Sequence, residues 1–259
     1  MEKSKYVNSI VGHAMVLGAS GGLGSEVVRA VAASGAAAIT ITYGRNKAAA
    51  ESLAAEVAGA GVKTFTAPVE QADEAGFKRL LQQARDAIGA EIATVINTIG
   101  ISPNVPIEEQ SLEGRDGWRN VFETNVFGCF LSTRAIAERM KAKAVRGSIV
   151  LISSTNGINS QSQISAHYDS SKAAQGHMMK IFAEHYAPHG IRINAVAPGW
   201  IETSLNDTLP ADERAHETSK IWARRFADPH EIAIFTAFVA GSGGSYCYGQ
   251  NFMVDGGYR

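Results

Sequence analysis

The stretch "HAMVLGASGGLGSEVVRAVAAS", residues 13–34, decides the fold. It opens with a short apolar run of the length of a buried strand, and a G-x-x-x-G-x-G spacing follows at once from Gly18. The residues from about Ser25 to Ser34 have the amphipathic spacing of a helix, and "AAITITY" at 37–43 has the composition of a second strand. Together they predict a βαβ unit.

The alternation of apolar runs and amphipathic segments continues to the C-terminus. In residues 72–88 apolar side chains recur on one helical face, and Gly89 follows as a helix terminator. The face consists of Phe77, Leu80, Leu81, Ala84 and Ile88. No repeat or Pro/Ser-rich linker divides the 259 residues. We therefore predict one domain, residues 1–259, of the α/β class: a Rossmann-type, doubly wound sheet of six or seven parallel strands flanked by helices.

Composition limits the kinds of partner. The 24 basic and 25 acidic residues give a net charge of −1, which predicts neither nucleic acid nor an anionic membrane as partner. No window approaches the ~20 apolar residues of a membrane helix, so we expect a cytoplasmic protein with a small-molecule substrate. Cys129 and Cys247 lie far apart, as expected for inert thiols in a reducing compartment. The seven histidines show no metal-ligand spacing, so no metal is predicted.

The glycine segment predicts a dinucleotide site. Glycines let the backbone approach a pyrophosphate, and the following helix N-terminus offers free N–H groups to that anion. The second strand ends without the carboxylate that NAD enzymes commonly place on the ribose, and Arg45 stands there instead. A guanidinium suits a 2′-phosphate, which favours NADP(H) over NAD(H); a solvated Arg in a turn is the alternative. We expect Tyr43 to flank the adenosine.

Two stretches read Y-x-x-x-K, and their settings differ. Between Tyr43 and Lys47, Gly44 and Asn46 indicate a turn. By contrast, Tyr168 and Lys172 fall within "HYDSSKAAQGHMMKIFAEHYAP", residues 167–188, which predicts one helix and places the pair at i and i+4 on one face. An electrostatically coupled pair and an ordinary helix-surface pair both fit this spacing. Upstream, "GSIVLISSTNG" at 147–157 predicts a strand that brings Ser153 and Ser154 to its carboxyl end, where ligands bind in such sheets.

The whole chain resembles the classical short-chain dehydrogenase/reductases. The matching motifs are G-A-S-G-G-L-G at 18–24, N-x-x-G at 97–100, "TNVFG" at 124–128, "SSTNG" at 153–157, Y-D-S-S-K at 168–172, "PGWIET" at 198–203 and "VDGG" at 254–257. The resemblance implies a catalytic tetrad of Asn125, Ser154, Tyr168 and Lys172, with Ser153 as the alternative serine. Members that reduce enoyl groups separate the Tyr and Lys by more residues, so carbonyl chemistry is favoured.

The resemblance also implies a cofactor site with several departures from the usual pattern. Leu17 replaces a Thr, Gly21 stands where NADP enzymes often have Arg, and Pro68 replaces the residue that contacts adenine, so we expect that contact to be lost. The implied cofactor-binding residues are Gly18, Ser20, Gly21, Gly22, Leu23, Gly24, Tyr43, Arg45, Val69, Asn97, Gly100, Tyr168, Lys172, Pro198, Gly199, Ile201 and Thr203.

The tetrad predicts proton transfer to a carbonyl oxygen. Tyr168 would donate the proton as hydride arrives from the nicotinamide, and Ser154 would hydrogen-bond the same oxygen. One cation at ~4–5 Å stabilises a phenolate by roughly 3–4 kcal/mol, so we expect Lys172 to bring the Tyr168 pKa close to 7. In the family this Lys also holds ribose hydroxyls, and Asn125 orders a water. His167 is expected at the substrate rim or facing solvent.

The substrate stays open between several classes. The chain is most similar to 3-oxoacyl-[acyl-carrier-protein] reductases of fatty acid biosynthesis, and a basic cluster could dock an acyl carrier protein, although a helix C-terminus explains it equally well. That cluster is Arg139, Lys141, Lys143 and Arg146. Glu184 and "SPNVP" at 102–106 argue against the carrier. The alternatives are a reductase of other small ketones, sugars, steroids or polyketide intermediates, and a non-catalytic NADP-binding regulator.

Two further features concern access and assembly. The polar segment at about 200–228 predicts a substrate lid, with an ordinary surface excursion as the alternative. Family resemblance implies a homodimer or homotetramer built on the helices that contain Asn125 and Tyr168. Phe122, Phe127 and Phe130 could contribute to that helix face, although core burial explains them equally well.

Overall fold

The computed structural model describes residues 7–203, 206 and 209–259, and its centre is a seven-stranded sheet. All strands pair in parallel, in the order β3-β2-β1-β4-β5-β6-β7. The strands are β1 His13–Leu17, β2 Ala38–Tyr43, β3 Lys63–Pro68, β4 Ile92–Asn97, β5 Ser148–Ile152, β6 Arg192–Pro198 and β7 Asn251–Val254. The order reverses direction beside β1, which is where such sheets bind ligands.

The helices follow the predicted alternation. They are α1 Gly22–Ala33, α2 Lys47–Gly59, α3 Glu74–Ile88, α4 Trp118–Phe122, α5 Cys129–Ala142, α6 Ala166–Tyr186, α7 Ala211–Lys220 and α8 Pro229–Ala240. α1 begins three residues earlier than predicted, because the Ser25 N–H donates to Gly21 O at 2.9 Å and closes the first turn over the glycines. Gly89 ends α3 in the left-handed conformation, as predicted.

Each face of the sheet has its own apolar core. Val16, Ile39 and Val150 belong to the core under α1, α2 and α8, whereas Met15 and Ile149 belong to the core under α3, α5 and α6. Successive strand side chains point to opposite faces, so strands that are buried throughout require helices on both sides. The doubly wound α/β prediction is therefore confirmed.

A π turn interrupts the helix that runs from Trp118 to Ala142. Glu123–Gly128 has the wider i→i+5 geometry between α4 and α5, and Asn125 lies inside it with no exposed surface. The sequence pattern indicates a helix around Asn125 but no interruption in it. Hydrophobic periodicity does not reveal a π turn, because the insertion shifts the helix face by only part of a turn.

Contacts within the predicted lid segment join its two ends to each other. The Trp200 ring stacks on Phe226 with 5.1 Å between centroids, and its Nε1 donates to Glu217 at the end of the chain's α7. Ile201 forms a bridge with Ala227. Residues 204, 205, 207 and 208 of this segment lie outside the described residues. Among the residues described, no helix combines the length and apolarity that crossing a membrane requires.

A buried guanidinium joins β6 to the end of α8. Arg192 is 9% exposed, and its two terminal nitrogens donate to four backbone carbonyls at 2.7–3.1 Å. Those acceptors are Val239, Ala240, Gly241 and Gly244. Burial lowers the pKa of Arg192, but carbonyl dipoles at a helix C-terminus favour the charged form. The arrangement satisfies carbonyls that a helix end leaves unpaired.

We expect Arg192→Met to lower the free energy of unfolding by about 3 kcal/mol, because it leaves several buried carbonyls without donors. Urea unfolding followed by circular dichroism measures this. Arg115→Met is the matched control, since the Arg115 side chain is 86% exposed and its loss should change stability by less than about 0.5 kcal/mol. Equal stability of the two variants would contradict the assigned role.

Candidate active site

A cleft of ≈ 570 Å³ opens along the carboxyl edge of the sheet. It runs from the glycine segment after β1 to the loops that follow β4, β5 and β6. Fifteen of the predicted site residues line it: Gly18, Gly21, Gly22, Leu23, Gly24, Arg45, Val69, Gly100, Ser154, Tyr168, Lys172, Pro198, Gly199, Ile201 and Thr203. The motifs far apart in sequence therefore meet in one site.

Four predicted residues do not line the cleft. Tyr43 is buried in the core under α1 and α2 and does not line the cleft, so its place beside an adenosine stays a prediction. Asn97 is buried, and its Oδ1 accepts the Ile99 N–H at 3.0 Å, which shapes the loop after β4 from behind. Ser20 is half-buried beside the glycine segment, and Asn125 is fully buried.

Ser153, the alternative serine, also lines the cleft, together with nine residues that the sequence did not indicate as site residues. These nine are Gly44, Glu70, Gln71, Thr98, Ile99, Ile101, Ser102, Thr124 and Ile152. Most follow directly after a predicted strand, a position that by itself indicates the ligand edge of a parallel sheet. Glu70 and Gln71 lie just beyond Pro68, where we expected the adenine contact to be lost.

The glycines of the first turn serve two different needs. Gly18 has φ +78°, and a Cβ added at Gly24 would lie 2.4 Å from Gly18 O, so the fold itself requires glycine at both positions. Gly21 and Gly22 are different, because an added Cβ would meet no protein atom closer than 3.6 and 3.4 Å respectively. These two glycines face the cleft, where a side chain would occupy ligand space rather than clash with the fold.

The start of α1 fits an anionic group. Gly21 is its N-cap and offers no side chain to the first turn, which also lacks an acidic residue. The N–H groups at a helix start are unpaired unless a cap or ligand accepts them, and the helix dipole favours negative charge there. An uncapped helix N-terminus facing a glycine-lined cleft is consistent with a dinucleotide pyrophosphate.

At the other end of the cleft, the structure distinguishes the two adjacent serines. The Ser154 hydroxyl lies near enough to the Tyr168 phenol to lower its pKa, and it accepts the Asn156 N–H at 3.2 Å. The Ser153 hydroxyl is buried and has no hydrogen-bond partner among the described residues. Ser154 is therefore the serine beside the tyrosine, as the family pattern implied.

The pKa of Tyr168 moves opposite to the expected direction. Burial raises it, the hydrogen bond from Ser154 lowers it by less, and the Asp169 carboxylate raises it further. The prediction that Lys172 brings this pKa close to 7 is thus not met in the structure. A phenol whose pKa is raised stays protonated at neutral pH, which suits a proton donor.

Lys172 is a buried ammonium group, only 3% exposed. Its Nζ donates to Ile152 O at 2.8 Å and to Gln175 Oε1 at 3.3 Å, and lies 5.7 Å from the centroid of the Tyr168 ring. Burial lowers the pKa of Lys172 to about 8. The predicted i, i+4 pair is therefore present on α6, with the cation behind the phenol instead of at the surface.

Asn125 holds the loop after β4 in place. Its Oδ1 accepts the Ile101 N–H at 2.9 Å, and its Nδ2 donates to Ile101 O at 2.9 Å and Ser171 Oγ at 3.0 Å. All the amide atoms are therefore paired within the protein. Gly100 lies directly against this group, since an added Cβ would be 3.3 Å from Lys172 Nζ and 3.4 Å from Asn125 Oδ1.

Two neighbours of Tyr168 shape its helix turn. His167, expected at the rim, is fully buried: its Nδ1 accepts the Tyr168 N–H at 2.9 Å, and its Nε2 contacts Asp116 O at 3.1 Å. Both ring nitrogens of His167 are therefore engaged by backbone groups, which fixes the orientation of the ring. Asp169 accepts bonds from Asn156 Nδ2, Ser162 N and Ser165 Oγ at 2.8–2.9 Å, which fixes the loop at 156–165.

Charged groups are few in this cleft. Of the lining residues that the structure describes, only Arg45, Glu70 and Lys172 are of a charged type, and the first two lie at the glycine end. Within residues 7–203, 206 and 209–259, no three His, Cys, Asp or Glu side chains are grouped to hold a metal ion.

The sequence and the fold are similar to those of known oxidoreductases. Residues 18–259 match the family model described as enoyl-(acyl carrier protein) reductase. The chain is 32% identical to a sorbose reductase of Schizosaccharomyces pombe, with 94% of each chain covered, and 32% identical to an NADP-dependent (R)-specific alcohol dehydrogenase of Lentilactobacillus kefiri, with 95% of each covered. A 3-oxoacyl-[acyl-carrier protein] reductase of Brucella melitensis has a similar structure: TM-score 0.83, 28% identity, covering 95% of this chain and 90% of that one.

We expect Gly22→Ala to leave the free energy of unfolding within about 0.5 kcal/mol of the wild type and to weaken NADPH binding about tenfold, because its methyl group enters only ligand space. Gly24→Ala is expected to lower stability by about 2 kcal/mol or more, since its methyl group meets Gly18 O. Urea unfolding and a fluorescence titration with NADPH measure the two effects. The assignment is wrong if Gly22→Ala binds NADPH as tightly as the wild type.

Proposed function

Because the chain belongs to the short-chain dehydrogenase/reductase family and is an oxidoreductase that acts on CH–OH groups, we propose that it uses NADPH to interconvert a small ketone and a secondary alcohol. One observation carries the proposal. The Tyr168 phenol, with Ser154 and the buried Lys172 beside it, lies in the same cleft as an uncapped helix N-terminus lined by glycines.

In the reduction, the residues of the chain handle the oxygen of the carbonyl. A bound nicotinamide supplies the hydride. Ser154 holds the carbonyl oxygen by a hydrogen bond, and Tyr168 donates its phenolic proton to that oxygen as negative charge develops. With a pKa of about 8, Lys172 is about nine-tenths protonated at pH 7, so it favours the phenolate that remains. Only three residues separate Tyr168 from Lys172, whereas enoyl-reducing members of the family have more, so the spacing favours reduction of a carbonyl group.

Arg45 supports NADP(H) as the cofactor. The residue is exposed at the mouth of the cleft directly after β2, where its guanidinium is available to a 2′-phosphate. The only carboxylate among the cleft-lining residues, Glu70, is on the neighbouring strand's loop rather than at the end of β2.

We expect Arg45→Ala to weaken NADPH binding about 10- to 100-fold and to leave NADH binding nearly unchanged, because a charge-assisted bond to the 2′-phosphate is worth about 1.5–3 kcal/mol. Fluorescence titrations with both nucleotides measure the difference. Lys47→Ala is the control, since Lys47 is exposed nearby and pairs with Glu51. An equal loss of affinity for both nucleotides would contradict the 2′-phosphate role.

The structure gives little support to docking of a carrier protein on the basic cluster. The Arg139 side chain is bound to Glu91 through two nitrogens, at 2.7 and 2.9 Å. The cluster occupies the last turn of α5 and the loop before β5, whereas the cleft lies at the carboxyl ends of the strands. One strand length, roughly 17 Å, therefore separates the cluster from the cleft edge. A 3-oxoacyl thioester remains the second candidate substrate.

A small uncharged ketone fits the cleft better. Among the described lining residues, Lys172 is the only one of a charged type near Tyr168, and its Nζ already binds Ile152 O and Gln175. No further cation among the described lining residues is available there for a phosphate or carboxylate. The loop at 156–165, which follows Ser154, contains only uncharged residues, many with amide or hydroxyl side chains of the kind that bind hydroxylated ketones.

NADPH oxidation tests the proposal with a panel of neutral ketones, including a ketose, beside an acetoacetyl thioester. We expect turnover of neutral ketones, and a loss of about 10²–10⁴-fold in Tyr168→Phe with NADPH affinity retained, because the proton donor alone is removed. Activity confined to the thioester would favour the second candidate. If Tyr168→Phe oxidised NADPH as fast as the wild type with every substrate, the proposed reductase mechanism would be wrong.

The oligomeric state stays a prediction. Phe122 stacks on Trp118 and Phe130 on Phe182, and both phenylalanines are half-buried, so Phe127 alone of the three is exposed. A homodimer or homotetramer would have to use Phe127 together with other exposed apolar residues of α6 or α8.

A further inference from the structure

Gln71 connects three elements beneath the cleft. It lies between β3 and α3 and is 3% exposed. Its Nε2 donates to Thr124 O at 2.8 Å, and its Oε1 accepts from Asn97 Nδ2 at 3.1 Å and, more weakly, from Ser132 Oγ at 3.4 Å. One amide thus joins the end of β4, the π turn and α5.

The bond to Thr124 supports the π turn itself. An i→i+5 turn does not pair every carbonyl as a regular helix does, and such turns need donors from elsewhere. Gln71 supplies one to Thr124 O inside the turn. At the end of the turn, a Cβ added to Gly128 would lie 2.7 Å from Gln71 Cγ, so the side chain packs directly on the helix backbone.

Asn125, the residue after Thr124, is connected to the catalytic lysine through Gln175. Asn125 anchors Ile101 through two hydrogen bonds, and its backbone carbonyl accepts from Gln175 Nε2 at 3.5 Å. Gln175 in turn accepts from Lys172 Nζ at 3.3 Å. Asn125, Gln175 and Lys172 are each at most 3% exposed, so water does not readily replace a lost bond between them.

We propose that Gln71 is a positioning residue that holds the π turn and, through Asn125, the loop after β4 and Lys172. The inference rests on the proposed function. Gln71 lines the cleft, but its amide is already engaged by Thr124 and Asn97, so its effect passes through the π turn. A small displacement at a catalytic group can cost up to about 100-fold in rate.

The first test is a double-mutant cycle. Gln71→Met keeps the length of the side chain and removes its polar atoms, and we expect kcat for ketone reduction to fall about 10- to 100-fold with the NADPH Kd within about twofold of the wild type. In an Asn125→Ala background the same change should have little further effect. Gln83→Met, on the exposed face of α3, is the matched control.

The second variant probes the single donor bond. Gln71→Glu keeps the acceptor for Asn97 but directs a carboxylate at Thr124 O, so activity should be low at pH 8. It should recover toward the wild-type rate as the pH falls, because burial raises the pKa of a carboxyl group and the protonated acid can donate to Thr124 O again. A loss independent of pH would overturn the assigned role of this bond.

Hydrogen exchange keeps the test independent of turnover. In Gln71→Met, amides of residues 123–128 should exchange faster than in the wild type and in Gln83→Met. Unchanged exchange there, an additive loss with Asn125→Ala, or a raised NADPH Kd with normal kcat would each overturn the proposal. If the wild type reduces no ketone, the proposed function fails, while the exchange result still decides whether Gln71 holds the turn.

Discussion

The buried ammonium group of Lys172 constrains much of the active site. An ion taken out of water costs several kcal/mol unless polar groups replace its hydration. Here Ile152 O and Gln175 Oε1 serve as those groups, and the pKa of the lysine is still lowered to about 8. The last carbonyl of β5 must therefore lie close to α6, which carries Lys172 and Gln175. The start of α5 must also lie close to α6, because Gln175 contacts Asn125 O and Cys129 Sγ.

The π turn follows from the same requirement. A regular helix from Trp118 to Ala142 would bring its side chains past the site in a different register, whereas the wider turn places Asn125 against the loop after β4. The wider turn needs donors from outside the helix, and Gln71 and Gln175 both donate to carbonyls within it. Gly128 allows the close approach on one side and Gly100 on the other.

The two ends of the cleft differ in their charged and polar groups. At the glycine end, an uncapped helix N-terminus and Arg45 suit the phosphates of a dinucleotide, and the carboxylate of Glu70 lies on the neighbouring loop. At the catalytic end, the described lining residues include one lysine, which lies behind the phenol, and the loop at 156–165 is polar but uncharged. Asp169 fixes that loop through three hydrogen bonds and at the same time raises the pKa of Tyr168.

The sequence by itself determined those features that depend on residues close together along the chain. Strand and helix periods predicted the parallel, doubly wound sheet, and the i, i+4 spacing of Tyr168 and Lys172 predicted their shared helix face. The glycine spacing and Arg45 indicated the ends of strands that do form the cleft. Only the tertiary structure decided which serine reaches Tyr168, that Tyr43 and His167 are buried, and that the basic cluster lies away from the cleft. It also revealed the π turn, the role of Gln71 and the raised pKa of Tyr168, because burial and the pairing of buried polar groups depend on elements distant in the chain.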